Sequence, residues 1–190
     1  GKGMLPGYFC DGCVQLEHIS VPHTVTRLWD YVFDKCIALQ EVTLPDGVTD
    51  IGRHVFESCC CITEMISPKE LRKIGNGAFQ GCRMLEKAVL PDGIDEVVDS
   101  LFSGCYTLTE IVIPKSVTTV SRYSFENCQC MKRYYFLPDS PPELTTTGTF
   151  LGLPKDCKFY VPKGRLDVYQ TAESWSNYAS YMVEMEGDVL

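Results

Sequence analysis

The sequence has no apolar run approaching the roughly 20 residues needed to span a bilayer. It also has no cluster of basic residues, and its net charge of -8 with a pI near 4.9 would repel nucleic acid and anionic lipid alike. Neither a nucleic-acid partner nor direct membrane insertion by this segment is therefore expected. Gly1-Lys2-Gly3-Met4 is not followed by the apolar stretch of a signal peptide, so any export signal is expected outside the given chain. No glycine-rich phosphate loop follows a strand pattern. Histidine is scarce: His18, His23 and His54 are the only three, all at turn or surface positions. A Cys-His pair built from Cys36 or Cys59 with His54 is conceivable, but solvated histidines near packed thiols account for the same residues. The sequence thus gives no catalytic residues, no metal site and no cofactor, and the expectation is that the protein is not an enzyme.

What the chain does have is a period. Cys13, Cys36, Cys59, Cys82, Cys105 and Cys128 stand 23 residues apart without a slip, which is the signature of a repeat protein. Three residues after each comes an apolar position: Leu16, Leu39, Ile62, Leu85, Leu108 and Met131. Two further columns alternate as a strand does, Ile19, Val42, Met65, Ala88, Ile111, Tyr134 and then Val21, Leu44, Ser67, Leu90, Ile113, Phe136. Pro22, Pro45, Pro68, Pro91 and Pro114 follow directly, and a residue without an N–H should end each strand.

After the turn, Val25, Val48, Leu71, Ile94, Val117 and then Leu28, Ile51, Ile74, Val97, Val120 are expected to line the opposite wall. The coil closes through Phe33, Phe56, Phe79, Phe102 and Phe125, whose spacing suits a short helical turn and whose rings should stack, with Cys10 in that place in the first coil. The fold class expected is an α/β repeat solenoid, a right-handed superhelix of parallel strands and short helical turns. Residues 1–136 are expected to form the solenoid with an incomplete first coil, and residues 137–190 a C-terminal capping segment of the same domain. In that cap Phe150, Phe159, Tyr160 and Val161 would cover the last coil.

Phe79-Gln80-Gly81-Cys82-Arg83-Met84-Leu85, and the ending Phe159-Tyr160-Val161-Pro162-Lys163-Gly164 with Tyr169, Ala172 and Trp175, resemble the BspA-type, or Treponema pallidum-type, leucine-rich repeats. The resemblance covers nearly the whole chain and implies a leucine-rich-repeat fold. It also implies a bacterial protein that is extracellular or at the cell surface and active in adhesion. The partners implied are protein or glycan macromolecules, host molecules among them. Departures from the pattern are Val32, Val55 and Leu101 where a small residue is usual, and Ser67 in a core column.

Eleven cysteines invite a disulfide or zinc reading, but the count is odd. Neighbouring rungs, separated by about one inter-strand spacing of ~4.8 Å, exceed the usual Cβ separation of a disulfide, about 3.8 Å. Cys10-Asp11-Gly12-Cys13 is a lone CxxC with no second pair to complete a tetrahedral set. The six rungs are therefore read as inward-facing packing residues. Cys60, Cys61, Cys130 and Cys157 lie off the ladder and are the expected targets of oxidation.

If the rungs fix what points in, they also fix what points out. One outward column runs Ser20, Thr43, Ile66, Val89, Val112, Tyr135, and beside it His18, Glu41, Glu64, Lys87, Glu110, Arg133. The candidate ligand-binding residues are Ile66, Val89, Val112, Tyr135, Glu64, Lys87, Glu110 and Arg133, an apolar stripe flanked by charge. The preference of β-branched residues for strands would produce the same stripe without a ligand. A structural spacer is the alternative function, and an enzymatic site formed in the cap by Asp156, Lys158, Tyr160 and Trp175 a more remote one.

Overall fold

The computed structural model describes residues 3–65 and 67–187. The chain winds into a parallel-strand solenoid of about eight turns with little helix. The front wall is built from His18–Ser20, Glu41–Thr43, Glu64–Met65, Lys87–Val89, Glu110–Ile113, Arg133–Phe136, Lys158–Val161 and Met182–Glu184. The rear wall is built from two-residue strands: Met4–Leu5, Arg27–Leu28, Asp50–Ile51, Lys73–Ile74, Glu96–Val97, Thr119–Val120 and Glu143–Leu144. Register follows the sequence period, Glu110 beside Arg133 and Ile111 beside Tyr134 in front, and Ile51 beside Ile74 behind. The front strands from His18–Ser20 to Lys158–Val161 each stop one to three residues before a proline. The carbonyls of Pro22, Pro45, Pro68 and Pro114 then accept the N–H three residues on, which closes the turn between the walls.

The closing side of the coil differs from the short helical turn expected. Each phenylalanine lies in a hydrogen-bonded turn flanked by two left-handed residues: Tyr31 and Lys35 (φ 61° and 56°) around Phe33, His54 and Ser58 (φ 54° and 57°) around Phe56. A left-handed residue on either side stops a right-handed helix from propagating. The only α-helix among the described residues is Leu166–Thr171.

The core is the set of columns seen in the sequence. Phe33, Phe56, Phe79, Phe102 and Phe125 stack with centroids 5.2–5.8 Å apart. Cys36, Cys59, Cys82, Cys105 and Cys128 are buried beside them. Their thiols donate to carbonyl oxygens of the preceding coil: Cys36 to Cys10 at 3.0 Å, Cys59 to Phe33 at 3.1 Å, Cys82 to Phe56 at 3.1 Å, Cys105 to Phe79 at 3.2 Å and Cys128 to Phe102 at 3.3 Å. Burial strips water from these thiols, pushing Cys36 up to about 11 and the other four higher still.

Three cysteines depart from the expected placement. Cys13 is exposed, not inward-packed, and Cys10 is only half-buried, because the first coil has no described neighbour on its outer side to cover them. Cys157 is fully buried, not surface-accessible. Its N–H donates to Pro154 as that of Met131 does to Cys128, so it continues the apolar column that begins at Leu16.

The repeat also runs past residue 136. Phe150 stacks on Phe125 at 5.8 Å with rings 6° apart, Leu144 pairs in register with Val120, and Lys158–Val161 joins the front sheet beside Arg133–Phe136. This further coil keeps the geometry but not the period, since Phe150 follows Phe125 by more than 23 residues. Tyr169 and Trp175 close the core, both fully buried. Tyr169 Oη donates to the Pro138 carbonyl at 2.8 Å and Trp175 Nε1 to that of Pro142 at 2.7 Å. The proline-rich turn supplies acceptors for two aromatic side chains that would otherwise bury a polar atom without a partner.

Candidate functional site

The front sheet carries one face into the core and the other out, since alternate side chains of a strand point to opposite sides. In Arg133–Phe136, Tyr134 and Phe136 are buried while Arg133 and Tyr135 face outward. The same alternation puts Phe159 and Val161 inside and Lys158 and Tyr160 outside. Tyr160 therefore does not cover the last coil from within; it extends the outward column. Register places Tyr135 beside Tyr160 and Tyr160 beside Val183, and the two tyrosine rings stack at 4.9 Å and 23°.

Of the expected binding residues, Val89 is 61% exposed and Val112 and Tyr135 are half-buried. Ile66 lies outside the described residues. The outward column thus reads Val89, Val112, Tyr135, Tyr160, Val183, with an open cleft of about 600 Å³ at its C-terminal end lined by Tyr135, Tyr160 and residues 183–187. The Gly164 N–H donates to Glu184 Oε1 at 2.9 Å and fixes the edge of that cleft. Partial burial raises the Tyr135 hydroxyl above its ordinary range, opposed by the Arg133 guanidinium, so the ring stays neutral at physiological pH.

The flanking charges are placed beside the stripe but are already paired. Lys87 Nζ is 3.1 Å from Glu64 and Arg133 is 2.7 Å from Glu110. Each pair joins equivalent positions of adjacent coils, as do Arg27–Asp50, Arg53–Asp30, Lys69–Asp46 and Arg122–Asp99. Exposed pairs of this kind add little stability in water. Their effect on the face is to leave the apolar stripe as its most distinctive feature.

No catalytic grouping is brought together from the residues considered. His54 faces Glu57 at 2.9 Å and stacks on Tyr31, while the Cys36 and Cys59 thiols are engaged by carbonyls. Of the four cap residues, Trp175 is turned into the core, Tyr160 is on the front face, and Asp156 lines a separate hollow with Lys132 and Pro154. Among the described residues no group of three or more His, Cys, Asp or Glu side chains could hold a metal ion, and no helix is long and apolar enough to cross a membrane.

Tyr160 and Val183 were not assigned to this face by the 23-residue count. The signal that finds Tyr160 is local: Lys158-Phe159-Tyr160-Val161 repeats the basic, aromatic, tyrosine, apolar order of Arg133-Tyr134-Tyr135-Phe136, whereas Met182-Val183-Glu184 carries no such order.

Comparison with known proteins places the repeats. A family model described as a BspA type leucine rich repeat region matches residues 4–132 in six copies. Among solved structures, the T. pallidum leucine-rich-repeat protein TpLRR is 24% identical, with 94% of this chain and 75% of that one covered and a TM-score of 0.65. The pneumococcal vaccine antigen PcpA is 21% identical, with 91% and 42% covered and a TM-score of 0.66. A leucine-rich repeat protein from Bacteroides ovatus ATCC 8483 is 22% identical, with 85% and 49% covered and a TM-score of 0.58. At these identities the likeness is one of fold, and the chain spans less than half of the last two proteins. No curated protein matches the sequence.

Proposed function

The chain belongs to the BspA-type leucine-rich-repeat family, a repeat class that commonly mediates protein interaction, and on that premise we propose that it is a non-enzymatic interaction module that binds through the outward face of its front sheet. The observation that carries the reading is the continuous apolar column Val89, Val112, Tyr135, Tyr160, Val183, which crosses coil boundaries and includes a stacked tyrosine pair at 4.9 Å. Aromatic residues that present a rigid apolar ring with a polar edge are frequent anchors at interfaces. The candidate contacts are Ile66, Val89, Val112 and Tyr135 with the flanking Glu64, Lys87, Glu110 and Arg133, now joined by Tyr160 and Val183. The buried cysteines act as packing residues that hold the register of the rod.

A protein partner is favoured over a glycan because the stripe is apolar and its neighbouring charges are satisfied within the chain. In an extracellular or cell-surface setting, which the family resemblance supports, adhesion to host proteins would follow from such a face. Binding of the wild-type chain and of a Val112→Asp, Tyr135→Ala double variant to a panel of matrix proteins and cell-surface glycans tests the proposal. Loss of binding in the double variant supports it, and retention rules the face out. If no member of the panel binds the wild type, the spacer role gains.

A further inference from the structure

From the first coil we infer that Cys10 and Cys13 form a dithiol–disulfide pair, a modification site independent of the binding face. In every other coil the position three residues before the rung cysteine holds a phenylalanine, and the rung N–H donates back to its carbonyl, as Cys36 does to Phe33 at 3.2 Å and Cys59 to Phe56 at 3.1 Å. The first coil keeps this turn, Cys13 N–H to Cys10 O at 3.1 Å, but replaces the ring with a second thiol. The turn that elsewhere joins a phenylalanine and a rung cysteine here joins two cysteines three residues apart.

Access and mobility match the assignment. Cys13 is exposed and Cys10 half-buried, whereas the five rungs that follow are buried. The backbone on one side is fixed, with Cys10 N–H bonded to Val32 O at 2.8 Å and Gly12 N–H to Asp34 O at 2.7 Å. Between the cysteines Gly12 is left-handed at φ 67° with no atom within 4 Å of a Cβ built there, so the turn has room to tighten as the sulfurs approach bonding distance. The neighbouring Cys36 cannot compete: it is buried and its thiol donates to the Cys10 carbonyl.

The oxidant is a low-molecular-weight disulfide. The Cys13 thiolate attacks one of its sulfurs, releasing one small thiol and leaving a mixed disulfide on Cys13. The Cys10 sulfur, having given up its proton, attacks Cys13 Sγ and expels the second small thiol. Two protein S–H bonds are replaced by one S–S bond, and the small disulfide is reduced to two thiols. Cys13 is the attacking residue because it is the accessible one; Cys10 resolves.

The test incubates the full chain with oxidised glutathione, alkylates the folded protein, digests it with trypsin and weighs the peptides. The fragment from Gly3 to Arg27 contains Cys10 and Cys13 and no other cysteine. It is expected to lose both alkylation sites, become lighter by two hydrogens and regain both sites after reduction. Cys10→Ser should instead accumulate a glutathione adduct on Cys13, and circular dichroism before oxidation establishes that this variant is folded. Should Cys10→Ser be unfolded, Cys13→Ser, altered at an exposed position, should show no adduct on Cys10 at the same exposure. A wild-type chain that retains a stable glutathione adduct on Cys13, that links Cys10 or Cys13 to another cysteine, or that leaves both alkylatable would overturn the assignment.

Discussion

The Cys59 thiol donates to the carbonyl oxygen of Phe33, 3.1 Å away in the preceding coil. Cys82, Cys105 and Cys128 repeat the bond to Phe56, Phe79 and Phe102, so each coil adds a sulfur donor to a buried carbonyl that already accepts a backbone N–H within its own turn. A cysteine is small enough to fit beside the stacked phenylalanines and polar enough to pair with a carbonyl, which neither alanine nor leucine achieves.

Removing that thiol should therefore cost more than its size suggests. Cys82→Ala is expected to lower stability by about 1–3 kcal/mol through the lost thiol hydrogen bond and the void, while Cys13→Ala, at an exposed position, should stay within about 0.5 kcal/mol of wild type. Urea denaturation of the two variants under reducing conditions measures the difference.

The phenylalanine ladder sets a larger effect. Phe79 contacts a ring on either side, at 5.2 and 5.8 Å, and Phe79→Ala should cost about 3–5 kcal/mol. Because a solenoid is held by nearest-neighbour interfaces, loss at a central coil should broaden or split the unfolding transition seen by circular dichroism.

Two glycines at different points of the coil should behave in opposite ways. A Cβ on Gly75 would fall 2.5 Å from the Arg53 nitrogen of the preceding coil, whereas one on Gly47 would meet nothing within 4 Å. Gly75→Ala should destabilise by at least about 1 kcal/mol by forcing the coils apart. Gly47→Ala should be neutral or stabilising by up to about 1 kcal/mol, because it restricts the unfolded chain. Thermal unfolding of both variants separates the cases.

Stability should fall on the alkaline side. The buried thiols have folded values raised by desolvation above the ordinary 9.0, to about 11 for Cys36 and about 12 for Cys157, and burial raises the Tyr134, Tyr169 and Tyr178 hydroxyls as well. Groups with raised values remain protonated in the folded chain after the unfolded chain has ionised. Their contribution is complete below about pH 9 and is lost as pH climbs through the folded values. Melting temperature should be level from about pH 6 to 8 for these groups and decline above about pH 9; a melting temperature that rises from pH 9 to 11 would contradict the burial described.

The columns from Leu16 to Met131 and the phenylalanine ladder were legible because a single fixed period carried them. The further coil was not, because the residues added between Phe125 and Phe150 break the count while leaving the packing intact. The two-residue rear strands are too short for alternation to show in sequence, although their apolar residues were placed correctly on that wall. The turns gave a spacing of three that fits a helix equally well; only the left-handed conformations of residues such as Tyr31 and His54 exclude it. Cys13 and Cys157 show the limit of reasoning by period, since burial depends on having a neighbouring coil and not on register alone. On the candidate face the direction of each side chain was readable from alternation, whereas the pairing of its charges and the Tyr135–Tyr160 stack required coordinates.

The central claim is that macromolecules are bound by the apolar column of the front sheet. Surface plasmon resonance of the wild-type chain and of the Val112→Asp, Tyr135→Ala variant over immobilised matrix proteins and cell-surface glycans tests it most directly. The account predicts that at least one immobilised protein binds the wild type and that the double variant, with an unchanged circular dichroism spectrum, binds it at least about tenfold more weakly, the effect of losing an interface anchor. Equal binding by the folded double variant, or no binding by the wild type to any member of the panel, would contradict it.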